Sequence, residues 1–205
     1  MKDIILATNN EHKVKEFKEI LKNLPVNIYS LKEVDIEVDV EETGTTFTEN
    51  SNIKAQSIYY ILKERNRKDF IVLADDSGLV VGYLNDEPGI YSARYAGQHG
   101  NSEENNKKLL EKLKGVSCEN RKAKFVSAIA LMDDEGNSKV VEGEAYGYII
   151  EDYRGRKGFG YDPLFYFPEK KKTFAEMSEE EKNGLSHRGK ALKALKLEIE
   201  KLVEV

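Results

Sequence analysis

Two long strand candidates fill Ala123 to Ile150, one on each side of a turn at Asp133 to Asn137, which is the pattern of an antiparallel hairpin. The start of the chain is organised differently. Asp3 to Thr8 reads as a buried strand, and Asn9 or Asn10 caps a helix carrying Val14, Phe17, Leu21 and Leu24 at helical spacing. Pro25 stops that helix, and Val26 to Leu31 is a second strand. A sheet that accepts both a helical crossover and a long hairpin is mixed rather than purely parallel. Further elements fit this frame. An acidic loop, Asp35 to Gly44, lacks helical period, and a helix follows with Ala55, Ile58, Tyr59 and Leu62 on one face. Phe70 to Ala74 reads as strand, Asp75 to Gly78 as turn, and Leu79 to Leu84 as strand again. Ser102 is expected to cap a surface helix ending near Gly115, and Leu192, Leu195, Ile199 and Leu202 form the stripe of a last helix.

A chain of 205 residues suits one compact domain, or two lobes sharing a core, and buries roughly 70% of its unfolded surface. Cys118 is the single cysteine, which excludes an internal disulfide and a cysteine zinc cluster; it is expected to be a small buried hydrophobe in a reducing cytosol. A net charge of -5 argues against a nucleic-acid polymer as partner, because such binding needs many cationic contacts to phosphates. The apolar run Ile4 to Ala7 is too short and too acidic in its flank for a signal peptide. No segment approaches the roughly 18 apolar residues of a membrane span, so a soluble, cytoplasmic chain with no membrane partner is expected.

Several segments carry groups suited to phosphate and nucleobase chemistry. Thr8, Asn9, Asn10, Glu11, His12 and Lys13 stand where a strand hands over to a helix, and free N–H groups plus Lys13 favour an anion there. An asparagine-capped helix with a solvated lysine fits the same residues. Asp75 and Asp76 end an apolar strand; strand alternation sends them to opposite sides unless a turn intervenes, so one is expected to serve chemistry. A hydrogen-bonded Asx-turn is the competing account. Glu41 and Glu42 offer the carboxylate oxygens that magnesium takes together with phosphate and water. Gly158 to Pro163 places an aromatic pair among glycines, suited to base stacking or to an ordinary turn with two core aromatics. Ser186, His187 and Arg188 open the last helix after Lys182, a second anion or carbonyl site or else a charged surface loop.

Taken together, these segments resemble the inosine triphosphate pyrophosphatase family. The resemblance spans nearly the whole chain in motif order: T-x-N-x-x-K-x-x-E at Thr8, Asn10, Lys13 and Glu16, E-E-T-G-x-T-F-x-E-N from Glu41 to Asn50, and D-D-S-G-L from Asp75 to Leu79. It continues with P-G-I-Y-S-A-R-Y from Pro88 to Tyr95, G-F-G-Y-D-P from Gly158 to Pro163, F-A-E-M from Phe174 to Met177, E-E-K from Glu180 to Lys182 and S-H-R from Ser186 to Arg188. The chain departs at Asn9, where many members carry glycine, and at Ser51, often alanine.

The resemblance implies an α/β fold with a long mixed sheet and flanking helices in two lobes, a central active-site cleft and a homodimer. It implies hydrolysis of ITP, dITP and XTP to the monophosphate and pyrophosphate with magnesium. Thr8 to Lys13 would cradle the triphosphate, Glu41 and Asp76 would hold the metal, and Asp76 would also act as general base. Ser77 would touch phosphate; Phe159, Gly160, Tyr161 and Asp162 would hold the base, with Lys182, His187 and Arg188 completing the pocket. A donor such as Arg188 would donate to the six-position oxygen of hypoxanthine and reject adenine, which presents an amino group there. Two rival readings stand beside this one. The septum-associated nucleotide pyrophosphatases share the architecture but open with arginines after a serine, which Thr8-Asn9-Asn10 lacks. A non-catalytic nucleotide-binding module is the other, and net acidity with paired carboxylates argues against it.

Overall fold

The computed structural model describes residues 2–203. In chain order the elements are β1 (Asp3–Leu6), α1 (Glu11–Leu21), β2 (Asn27–Ser30), α2 (Phe47–Glu64), β3 (Phe70–Val81), α3 (Ser102–Lys112), β4 (Lys122–Asp133) and β5 (Ser138–Ile149). They end with β6 (Phe165–Phe167), β7 (Lys172–Thr173), α4 (Glu179–Leu185) and α5 (His187–Val203). The strands form one seven-stranded sheet in the order β2-β1-β3-β4-β5-β6-β7. β1 runs parallel to both β2 and β3, whereas β6 is antiparallel to β5 and β7, so the sheet is mixed, as the sequence pattern requires.

The chain divides into two compact units, the first formed by Met1–Asp76, Ser127–Gly143 and Arg188–Val205. β1 and the stretches of β3 and β4 in this unit are buried on both faces, and the period of two sorts their residues into two cores. Ile4, Leu6, Ile71, Leu73, Ile129 and Leu131 pack with Phe17 and Leu21 of α1 and with Leu192, Leu195 and Ile199 of α5. Ile5, Val72, Ala74, Ala130 and Met132 pack instead with Ala55, Ile58 and Leu62 of α2. Each fully buried side chain of this kind contributes about 1.5–3 kcal/mol, so the two helical layers hold the strand ends where polar chemistry begins.

The second unit comprises Ser77–Val126 and Glu144–His187. Its core joins Leu79 and Val81 of β3 to Leu109 of α3, Phe125, Tyr161, Phe165, Phe174 and Met177. Phe125 and Phe174 stack at 5.8 Å, and Phe165 lies 4.7 Å from Phe125.

Several local expectations change. β3 continues without interruption for 12 residues, so there is no turn at Asp75 to Gly78; the run is buried on almost every residue and paired in a sheet. Asn101 rather than Ser102 caps α3, because its side chain accepts from the Glu104 N–H at 3.2 Å, and the helix buries Asn105, Asn106 and Leu109. Cys118 is exposed in a short 3₁₀ turn, not a core hydrophobe. Tyr95 is buried and Tyr91 exposed. Among the described residues no helix is long and apolar enough to cross a membrane.

Candidate active site

Asp75 and Asp76 are consecutive on β3 and nearly fully buried. Strand alternation sends their carboxylates to different partners. Asp75 meets Lys13 from α1 and Arg188 from α5, each at 2.8 Å, and accepts the Ser127 hydroxyl of β4. Asp76 meets α2, where Lys54 Nζ lies 3.0 Å from Oδ1 and the Asn50 amide donates to Oδ2 at 3.2 Å.

The electrostatic consequences are opposite. For Asp75 burial is the largest single influence and pushes upward, yet Arg188 and Lys13 together hold its carboxyl well below the ordinary value of 3.8. For Asp76 burial again leads and Glu42 adds to it, and Lys54 and Lys13 do not fully compensate, so its pKa is raised above 3.8. A carboxylate held in this way is the stronger proton acceptor of the two. Burial lowers the Lys13 pKa against the pull of Asp75. Burial also acts to lower that of Lys54, but Asp76 and Glu42 outweigh it and the net shift is upward.

Lys13 reaches this place because Asn10 caps α1, its Oδ1 accepting from the N–H groups of His12 and Lys13 at 3.0 and 3.2 Å. Those two amides are thereby engaged, and the positive charge available to an anion at this helix start is the Lys13 ammonium. Thr8 is half-buried and accepts the Asn10 N–H, Asn9 donates to the Val38 carbonyl, and Glu11 and His12 are exposed.

The acidic loop is fixed from α2. Asn50 accepts the Gly44 N–H at 2.8 Å while its amide donates to Asp76, so one buried side chain ties the loop to the strand. A Cβ on Gly44 would stand 2.7 Å from Asn50 Oδ1, so the approach needs glycine. This conformation brings Glu42 to Lys54 at 2.9 Å and leaves Glu41 exposed. Glu42 and Asp76 are thus two carboxylates converging on one ammonium, with Glu41 beside them in the loop. Among the described residues no group of three or more His, Cys, Asp or Glu gathers as a metal cluster. The two carboxylates that meet at Lys54 are oxygen donors of the kind a hard divalent cation takes together with substrate phosphates and water.

The second unit carries the aromatic segment. Asp162 Oδ2 accepts from the Phe159 N–H at 2.9 Å and from Lys182 Nζ at 2.7 Å, and that ammonium lies 4.7 Å from the centre of the Phe159 ring. Gly158 adopts φ +75°, and a Cβ there would stand 2.0 Å from Asp162 Oδ2. Asn106 donates to the Gly160 carbonyl, which anchors the turn to α3. Tyr161 is buried, its hydroxyl donating to the Ser92 carbonyl at 2.9 Å, and is thus a strut of the unit's core. His187 is buried and stacks on Phe125 at 4.8 Å. Ser77 is half-buried on β3 directly after Asp76.

The two terminal nitrogens of Arg188 bind Asp75 and Glu16, and the side chain is 1% exposed, so the guanidinium is part of the ionic interior of the first unit. Lys54, Asn50, Ser127 and Glu16 were not singled out as site residues from sequence. Lys54 sits on a helix whose charged residues are mostly solvated, and only its spacing of four from Asn50, which puts both on one helical face, was available as a signal.

The profile of the Ham1 family matches residues 4–198. A dITP/XTP pyrophosphatase of Clostridium perfringens is 59% identical over 196 residues, 96% of each chain. That of Clostridium tetani is 49% identical over 204 residues, 100% of this chain and 99% of its own. Among solved structures, the Staphylococcus aureus Ham1 protein superposes with a TM-score of 0.84 at 42% identity, covering 98% of this chain and 99% of its own.

Proposed function

This chain belongs to the Ham1 family, and on that premise we propose that it hydrolyses the non-canonical purine nucleoside triphosphates ITP, dITP and XTP to the monophosphate and pyrophosphate. The observation that carries the reading is Asp76, a buried carboxylate of raised pKa gripped by Lys54 and Asn50. In the proposed step Asp76 takes a proton from a water as its oxygen bonds to the alpha phosphorus. The bond from that phosphorus to the bridging oxygen breaks, and pyrophosphate departs with the electron pair. Lys13 and Lys54 oppose the charge that builds on the leaving group, the kind of electrostatic stabilisation that dominates phosphoryl transfer. Glu42 and Asp76 would hold magnesium, which when bound supplies further charge neutralisation on the polyphosphate. Thr8 to Lys13 and Ser77 are assigned to the phosphates.

Base selection is assigned to the second unit. The Phe159 ring offers a stacking face worth about 1–3 kcal/mol, and Lys182, oriented by Asp162, is the donor for the six-position oxygen of hypoxanthine or xanthine. Adenine would set its amino donor against that ammonium, and a site built on such hydrogen bonds discriminates by on the order of 10⁴. The same reading includes a cytoplasmic homodimer, for which the exposed Tyr83, Tyr91 and Tyr146 supply residues of interfacial type.

The test is pyrophosphate release from ITP, dITP, XTP, GTP and ATP, each with magnesium and with chelator. Release from the first three with magnesium, and little from GTP or ATP, is expected. Equal turnover of ATP and ITP would overturn the selectivity, and no release from any of them would overturn the activity.

A further inference from the structure

Four charged side chains run in sequence through the interior of the first unit: Glu16, Arg188, Asp75 and Lys13. Arg188 is the pivot, binding Glu16 through one terminal nitrogen and Asp75 through the other at 2.8 Å. Asp75 then holds Lys13 twice, its Oδ2 at 2.8 Å and its carbonyl oxygen accepting from Nζ at 3.3 Å. The chain alternates in sign and its formal charges cancel. Glu16 and Lys13 lie three residues apart on α1 and so share a helical face; the first turns of α1 thus supply both ends of the relay while β3 and α5 supply its middle. The Asp75 side chain is 0% and that of Arg188 1% exposed, so the centre of the chain is shielded from bulk water.

We propose that Glu16 is a positioning residue for pyrophosphate release, fixing Arg188 so that the Asp75 carboxylate presents Lys13 to the polyphosphate. A guanidinium fork with two carboxylates has its plane set by both of them. With only Asp75 left, the guanidinium can reorient and take a larger share of the Asp75 oxygens, at the expense of the Lys13 contact. Glu16 touches neither substrate nor metal in this account, and its effect passes entirely through Lys13.

The inference rests on the pyrophosphatase reading, and a double-mutant cycle separates the two. Glu16→Gln removes the charge; Glu16→Asp keeps it but withdraws it by one methylene, which preserves a folded protein should the glutamine variant fail to fold. Both are assayed for pyrophosphate release from ITP, alone and combined with Lys13→Met. The expected result is a kcat about tenfold lower with KM changed less than threefold, and less than twofold further loss when either is added to Lys13→Met. Wild-type kcat in both Glu16 variants would overturn the inference. So would a loss that persists undiminished in the Lys13→Met background, because a merely structural role adds to any other defect. Absence of pyrophosphate release by the wild-type chain would overturn the pyrophosphatase reading, and the inference with it.

Discussion

Replacing Asp75 with asparagine keeps the side chain's shape and removes one negative charge from between two buried cations. The Asp75 side chain is 0% exposed, and its partners Arg188 and Lys13 are 1% and 14% exposed at the side chain. Leaving buried cations without their anion costs about 3–5 kcal/mol. A chain of this size loses roughly 2–4 °C per kcal/mol, so Tm is expected to fall by roughly 6–20 °C. Lys13, whose pKa burial already lowers, can shed its proton and relieve part of the loss, which favours the lower half of that range. The dependence on pH follows from the folded carboxyl lying well below its ordinary value. Its stabilisation is complete above the unfolded value of about 4 and disappears as pH falls through the folded value. Thermal unfolding followed by circular dichroism should therefore show the widest gap between wild type and Asp75→Asn at neutral pH, closing on acidification below about pH 4. A Tm within about 2 °C of wild type at pH 7 would refute the reasoning, since it would mean that the network contributes less than about 1 kcal/mol.

Gly44→Ala places a Cβ 2.7 Å from both Asn50 Oδ1 and Glu49 Cβ, so the acidic loop must shift and carry Glu42 away from Asp76. About a 10- to 100-fold fall in kcat/KM is expected with the fold retained, and unchanged kinetics would contradict the role of that loop. Asp162→Asn removes the carboxylate that directs Lys182, and the preference for ITP over ATP is expected to narrow by about tenfold or more; unaltered discrimination would remove base selection from this pair.

Architecture was legible where the hydrophobic period was strong. The first two strands, the helical stripes at Phe17 and Leu21 and at Leu192 and Leu195, and the hairpin at Asp133 to Asn137 all lie where the pattern placed them. Asp75 to Gly78 misled because glycine and aspartate in succession are turn chemistry, whereas here a sheet and two buried carboxylates with cationic partners override the local preference. The three- and two-residue strands β6 and β7 are too short to carry a periodic signal. Within the candidate site, strand alternation correctly separated Asp75 from Asp76. It could not say which acidic loop residue would reach Asp76, because the choice of Glu42 over Glu41 depends on the Asn50–Gly44 hydrogen bond, a contact formed only in the folded loop. Nor could it find the destination of Arg188, since Glu16 and Arg188 are 172 positions apart and meet only through tertiary packing.

The central claim is that Asp76, and not its neighbour, takes the proton of the attacking water. It is tested most directly by Asp76→Asn, with pyrophosphate release from ITP and thermal unfolding measured on the same preparation. Lys54 retains Glu42 in that variant, and a carboxyl of raised pKa is no source of stability at neutral pH, so Tm should stay within a few degrees of wild type. Turnover should fall by about 10³-fold. Activity within tenfold of wild type in a normally folded Asp76→Asn protein would contradict the account.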